Sequence, residues 1–335
     1  MKANLKAPVK VGWDNLADLA LKDIPLTKEQ AISVLTCPDD EILPLLYAAY
    51  RVRKHYYGNK VKLNMIINAK SGLCPEDCGY CAQSAFAKTN VKKYTLLEKD
   101  TLVAGAREAM ARKAGTYCIV TSGRGATDRE VDQVVEAVKE IKQEMPLKIC
   151  ACLGIMSEEK TKKLQEAGVD RYNHNINTSK GHHDRVTTTH TYDHRVETVK
   201  NVKKAGISPC SGCIVGMGES FEDVYDMAME LREIDADSIP VNFLHPVEGT
   251  KMAKMDELDP RYCLKVLALF RFINPSKEIR MSGGREYNLR SLQVMGLYAA
   301  NSIFVGDYLT TDGAEYTSDH QMIEDLGFEV EECAL

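Results

Sequence analysis

The sequence predicts an α/β fold, a TIM-type (β/α)8 barrel with an N-terminal helical extension, on three observations. Helix-like runs close repeatedly on Ala-Gly: Lys113-Ala114-Gly115 leads into Tyr117-Cys118-Ile119-Val120, Glu166-Ala167-Gly168 into Val169, and Lys204-Ala205-Gly206 into Ile207. Glycine just past a helix end takes the left-handed conformation cheaply and turns the chain into the next strand. Short apolar runs alternate with these helical stretches, which implies βα units and a parallel sheet. About eight such units fit into roughly 250 residues, the size of a (β/α)8 barrel. A doubly wound open sheet is the alternative, but the first strand lacks a Gly-x-Gly-x-x-Gly turn.

In chain order, Thr27 and Gln30 open one predicted helix, and residues 39–57 form another that ends at Gly58. Asp39-Asp40 reads as that helix's start rather than as a paired-carboxylate site. Candidate strands cover residues 62–69, 117–122, 148–153, 170–175, 208–215, 238–243, 278–283 and 302–306. Between them, Val131, Val134, Val135, Val138 and Ile141 recur at helical spacing. Ser220 with Asp223 resembles a capping box, and Asp128 or Ser157 would cap other helices. The expected organisation is an extension over residues 1–60, a barrel over 61–310, and a C-terminal helix or tail over 311–335 packed on it.

Composition narrows the class. Hydrophobic residues make up 44% and charged residues 27% of the 335, with a net charge of −5, as in a globular protein rather than a disordered one. No dense Lys/Arg block appears, so no nucleic-acid partner is expected. The stretch from Met1 to Asp23 lacks the apolar core of a secretory signal, and no run approaches the ~18 apolar residues of a membrane helix. A cytoplasmic protein, with no membrane partner, is the expectation. Eleven cysteines are many for such a compartment, where they do not build a disulfide framework, so metal or catalytic use leads. Cys37, Cys263 and Cys333 stand alone and read as incidental small hydrophobes. No Gly-x-Ser-x-Gly elbow or Walker loop supports a hydrolase or an NTPase.

The strongest motif, Cys74-Pro75-Glu76-Asp77-Cys78-Gly79-Tyr80-Cys81, directly follows the first strand. Soft thiolates select iron–sulfur clusters or zinc. A structural zinc site wants a fourth ligand nearby, and Ala82-Gln83-Ser84 supplies none. Three ligands on a four-iron cube leave one iron open. This C-x3-C-x2-C pattern, with an aromatic before the last cysteine, resembles the radical SAM superfamily. The resemblance implies a [4Fe–4S] cluster held by Cys74, Cys78 and Cys81. Its open iron would chelate S-adenosyl-L-methionine, whose reductive cleavage gives methionine and a 5′-deoxyadenosyl radical.

Cys118, Cys150 and Cys210 lie on the second, third and fifth predicted strands and Arg280 on the seventh. Inward-pointing side chains of these strands would meet at the barrel axis. Taken singly, each cysteine reads as packing. Taken together, the set resembles the biotin synthase family, in which three cysteines and an arginine hold an auxiliary [2Fe–2S] cluster. The likeness spans most of the chain, from Asn64-Met65-Ile66-Ile67-Asn68-Ala69-Lys70 to Ala300-Asn301-Ser302-Ile303-Phe304. It includes Tyr172-Asn173-His174-Asn175-Ile176-Asn177-Thr178-Ser179, Cys210-Ser211-Gly212 running into Gly216-Met217-Gly218-Glu219, and Arg280-Met281-Ser282-Gly283-Gly284-Arg285-Glu286.

Position by position, the resemblance implies Asn175 and Asn177 near the adenosylmethionine ribose and the substrate, and Arg195 facing the methionine carboxylate. It implies Asn173 and Asn242 on the ureido ring of dethiobiotin, whose N–H and C=O groups an amide matches. The implied reaction removes hydrogen from C9 and then C6 of dethiobiotin and inserts sulfide from the auxiliary cluster. A homodimer and a flavodoxin- or ferredoxin-type electron donor come with the family. Asn177 departs from it, standing where Asp is frequent. Strand alternation puts Cys152 on the face of Cys150 and turns Cys213 toward the helices. His174 reads as a satisfied core imidazole, and His182 and His183 as surface residues of a loop. Two rivals remain: a barrel related to the hydrogenase maturases, and a non-catalytic iron–sulfur carrier or zinc-stapled module.

Overall fold

A computed structural model describes residues 12–332. The first residues of the expected extension, the end of the expected tail and Cys333 lie outside them.

Helices α1 (Trp13–Leu21), α2 (Lys28–Leu35) and α3 (Ile42–Tyr57) precede the sheet. Thr27 and Gln30 form a reciprocal capping box on α2, and α3 stops at Gly58, whose φ is 55°. Asp39–Glu41 is a short 3-10 turn feeding α3, as a helix start requires. Strands β1 (Lys60–Lys70), β2 (Thr116–Thr121), β3 (Lys148–Cys152), β4 (Arg171–Asn173), β5 (Ser208–Cys210), β6 (Cys213–Val215), β7 (Ser238–Phe243), β8 (Glu278–Met281) and β9 (Ser302–Phe304) then run parallel. β9 pairs back onto β1, Lys62 beside Ser302, and the sheet closes.

β5 and β6 both pair with β7, so together they make one interrupted stave, and the barrel has eight. The sequence predicts one strand there, 208–215. The break falls at Ser211-Gly212, where the stave presses on β7. A Cβ at Gly212 would lie 1.9 Å from the Pro240 carbonyl oxygen, so only glycine fits. Its N–H turns away from the ladder to the Asn175 side chain, at 3.0 Å.

Outside the barrel run α4 (Lys99–Ala111), α5 (Asp128–Glu144), α6 (Glu158–Glu166), α7 (His183–Val186), α8 (Tyr192–Lys204), α9 (Phe221–Glu233) and α10 (Pro260–Ile273). Ser220 with Asp223 caps α9, and Ser157 caps α6 by accepting from the Lys160 amide. Asp128 is not a cap, contrary to expectation. Thr127 has the extended backbone and forms the capping box with Glu130, while Asp128 is the first helical residue, near the positive end of the helix dipole. Every residue of α10 from Cys263 to Ile273 is buried, because α2, α3 and α9 cover the side facing away from the sheet. Cys37 and Cys263 are buried there in the apolar core.

After β8 come short helices α11 (Arg285–Leu289) and α12 (Gln293–Gly296), then α13 (Tyr316–Asp325) and β10 (Glu329–Val330), which pairs with the start of β1. The main core lies between sheet and helices, leaving the barrel axis to a different set of side chains. Among the described residues no helix is long and apolar enough to cross a membrane.

Candidate active site

The barrel interior is assembled by strand alternation. Along β3, Cys150 and Cys152 face the axis while Ala151 packs into the outer core. Cys118 of β2 is the in-register neighbour of Cys150, and Cys210 of β5 is that of Asn173. Cys118, Cys150 and Cys210 form a separate buried cluster with Phe304. The Arg280 guanidinium lies 4.8 Å from the centre of the Phe304 ring. All four predicted auxiliary ligands therefore share one level of the barrel. Cys213, by contrast, is fully buried in the outer core, as alternation predicts.

Beneath that level the interior is polar. Arg280 donates from Nη2 to Glu278 Oε1 (2.6 Å) and Ser238 Oγ (3.0 Å), and from Nε to Ser302 Oγ (3.2 Å). A hydrogen bond to Cys118, then burial, holds the Cys150 thiol well above its ordinary pKa, against Cys210 and Arg280, which lower it. Burial first, with smaller contributions from neighbouring thiols, pushes Cys152 up to about 12 and Cys81 up to about 11. Thiols in this state release protons when iron binds, so metal binding and deprotonation are coupled.

The three loop cysteines stand at the mouth. After β1 the chain passes through Leu73, which is exposed and left-handed (φ 57°), and Cys74 then pairs with Ser84 in an isolated bridge. The loop is held from across the barrel by a run of threonines that sequence reasoning passed over. Asp77 accepts from the hydroxyls of Thr187 (2.7 Å), Thr188 (2.7 Å) and Thr189 (3.1 Å) and from two of their amides. Burial pushes the Asp77 carboxyl up, but these bonds outweigh it and hold it below the usual range. Glu76 accepts from Thr189 and His190. Thr187 also reaches the Cys78 sulfur, at 3.7 Å. The Thr-Thr-Thr-His-Thr run was the available signal.

The predicted polar residues line the same space. Asn173 donates to Cys210 Sγ (3.2 Å) and Asn175 Oδ1 (3.0 Å). With its amide turned to match its neighbours, Asn177 accepts from Tyr80 Oη (2.8 Å) and from Arg195 Nη1 and Nη2 (3.3 and 3.1 Å). Asn242 is partly committed to the backbone, accepting from the Gly283 amide and donating to the Cys213 carbonyl. Two histidine expectations fail. His182 and His183 are buried, their Nε2 atoms bonded to the Met217 and His190 carbonyls, because the segment folds back over the barrel as α7. His174 is buried, but its Nε2 has no partner among the described residues.

Together these side chains enclose one cavity of about 400 Å³. Cys74, Cys78 and Cys81 line it, and so do Cys118, Cys150, Cys152, Asn173, Asn175, Asn177, Arg195, Asn242 and Arg280. A loop of three thiols suits a cube with one open iron, and the three inner thiols with a guanidinium suit a second, enclosed group. A closed parallel barrel with such a cysteine loop at the C-terminal ends of its strands defines a radical SAM enzyme.

Comparison with known proteins carries this further. The Radical SAM superfamily model matches residues 70–231, and the Biotin and Thiamin Synthesis associated domain model matches residues 240–329. The chain is 65% identical over 319 residues to the biotin synthase of Geobacillus thermodenitrificans, covering 95% of this chain and 96% of the relative. Against that of Bacillus subtilis strain 168 the identity is 62%, with 95% of each covered. In fold it is similar to methylornithine synthase (TM-score 0.82, 20% identity, 95% of this chain and 98% of that one). The FeFe-hydrogenase maturase HydG of Carboxydothermus hydrogenoformans follows (TM-score 0.81, 15% identity, 96% and 80%). At those identities the two structures show the fold alone. The chain belongs to the biotin synthase family.

Proposed function

We propose that this chain inserts sulfur into dethiobiotin to give biotin, and that one observation carries the residue-level reading: both thiol sets open onto a single cavity. Cys74, Cys78 and Cys81 would hold a [4Fe–4S] cluster, and Cys118, Cys150, Cys210 and Arg280 an auxiliary [2Fe–2S] cluster. When bound, these clusters and S-adenosyl-L-methionine supply a carbon-centred radical and the sulfur it captures. The protein's own residues do the rest. Arg195 lines the cavity and brings a positive charge with an uncommitted Nη2 N–H to a carboxylate. Asn177, held by Tyr80 and Arg195, offers its remaining amide hydrogens to a ribose hydroxyl. Asn175 spends its oxygen on the Gly212 and Asn173 N–H groups, which fixes the wall between the two levels.

For the ureido ring, Asn173 supplies its carbonyl oxygen, and Asn242 the capacity left over from its backbone bonds. Ile66, Val120, Ile214, Leu244 and Phe304 make the intervening wall apolar, which suits a saturated carbon chain and keeps water from a reactive intermediate. Abstraction at C9 and then C6 requires two S-adenosyl-L-methionine molecules per product. A flavodoxin- or ferredoxin-type donor, a homodimer, a cytoplasmic location and the division at residues 60 and 310 complete the reading.

Anaerobic incubation of the reconstituted protein with dethiobiotin, S-adenosyl-L-methionine and a reductant, followed by mass spectrometry, tests it. Biotin with two equivalents of 5′-deoxyadenosine is expected. Formation of 5′-deoxyadenosine without biotin would overturn the substrate, and formation of neither would overturn the radical chemistry.

A further inference from the structure

We infer that His190 is a positioning residue that couples the cysteine loop to Arg195. The inference rests on the reading of Arg195 as the group facing the methionine carboxylate. His190 is buried, and both ring nitrogens are used between groups of opposite charge. Nδ1 meets Glu76 Oε2, and Nε2 meets Arg195 Nε at 2.7 Å.

A guanidinium N–H only donates, so Nε2 accepts and the ring proton resides on Nδ1, donated to Glu76. The imidazole is thereby neutral and in one tautomer. Burial first, then the Arg195 charge, lowers its pKa, which agrees with that state. Its backbone carbonyl accepts from His183 at 2.9 Å, and the two rings meet edge to face.

The neutral ring spaces two groups that would otherwise pair. Glu76 and Arg195 both line the cavity. In direct contact they would form a forked ion pair, and the guanidinium edge would be consumed. With His190 between them, Arg195 is held by Nε alone on that side. Nη1 donates to the Asn175 carbonyl at 2.9 Å, and Asn177 Oδ1 takes one N–H from each terminal nitrogen. Of five N–H groups, one on Nη2 is left for an anion in the cavity. Glu76 lies between Cys74 and Cys78, so the same ring fixes the arginine's distance from the cysteine loop.

The test compares wild type, His190→Leu, His190→Gln, Arg195→Lys and the His190→Leu/Arg195→Lys double variant. The measurements are iron and sulfide content, the change in the reduced cluster's EPR spectrum on titration with S-adenosyl-L-methionine, and kcat for 5′-deoxyadenosine formation with KM for S-adenosyl-L-methionine. His190→Leu is expected to weaken binding and raise KM about tenfold, the loss of one hydrogen bond to a charged group. Iron content and kcat should stay near wild type. His190→Gln, which keeps a donor and an acceptor, should recover most of the affinity, and the double variant should bind no worse than Arg195→Lys alone.

Unchanged affinity in His190→Leu, or losses that multiply in the double variant, would overturn the proposal. Loss of iron in His190→Leu would overturn it too, making the ring a support of the loop rather than of the arginine. Wild type that forms no 5′-deoxyadenosine, or Arg195→Lys with unchanged affinity, would defeat the underlying reading and the proposal with it.

Discussion

Glu278 and Arg280 stand two residues apart on β8, both buried inside the barrel, with Glu278 Oε1 accepting from Arg280 Nη2 at 2.6 Å. The other carboxylate oxygen accepts from Arg171 Nη1 at 2.7 Å and lies 3.6 Å from Lys62 Nζ. Burial pushes the Glu278 carboxyl up, but Arg171, Arg280 and Lys62 together outweigh it and hold it well below the usual range. One carboxylate thus balances two guanidiniums, that of Arg280 buried and that of Arg171 partly so. Glu278→Ala strands both, and breaking a buried pair from one side costs about 3–5 kcal/mol. Urea unfolding of the iron-free protein should show a loss of that size; a loss below 1 kcal/mol would mean that the charges are compensated elsewhere.

Two cysteines on one interrupted stave separate the inner set from the core. Cys210→Ala should lower iron and sulfide content and abolish biotin formation while 5′-deoxyadenosine still forms. Cys213→Ala should leave both metal content and chemistry intact and cost about 1 kcal/mol in unfolding, the price of a small core cavity. Metal loss in Cys213→Ala would contradict the orientation of β6.

Cys152 shares the cavity face with Cys150 and is only partly buried. Its removal is expected to perturb the inner cluster's Mössbauer spectrum without emptying the loop site. Identical spectra and iron-to-sulfide ratios in wild type and Cys152→Ala would make this thiol a bystander.

His174 predicts a pH dependence. Burial first, then the charges of Arg195 and His190, lowers its pKa well below the ordinary imidazole value. The unfolded chain therefore binds a proton near pH 6.5 that the folded chain does not, and stability falls as pH drops below that value. His190 shifts in the same direction. His174→Leu should remove part of this acid slope, up to about 1.4 kcal/mol per pH unit, in unfolding measured from pH 7 to 5. An unchanged slope would place the titration elsewhere.

Periodic features were legible in the sequence, and cross-chain bonds were not. Strand spacing and Ala-Gly stops follow from local backbone preference, so the barrel and the inward set Cys118, Cys150 and Cys210 could be read directly. The break at Ser211-Gly212 depends on how closely Pro240 of a neighbouring stave approaches, which no local pattern records. His182 and His183 sit in the polar run Lys180-Gly181-His182-His183-Asp184, which looks solvated, yet α7 folds them inward against Met217 and His190. Glu76 and Asp77 stand between two cysteines of the motif, and no local pattern points to what they bind. Their partners at 187–190 are more than 100 positions away, as the separations of 110 for Asp77–Thr187 and 114 for Glu76–His190 show.

The depth of the cavity imposes an order on events. Cys74 and Cys81 are half-exposed at the rim, whereas Cys118, Cys150 and Cys210 are buried at the bottom. Whatever docks on the rim thiols corks the passage to the lower ones. On the proposed reading, dethiobiotin would have to reach the buried thiols before a group on the rim thiols covers them. A part-reacted substrate would then be held below while spent nucleoside is exchanged above it, and replacement sulfide would enter by the same path. A site whose inner thiols are reached past its rim would work in batches, so that refilling rather than bond breaking would set the interval between turnovers.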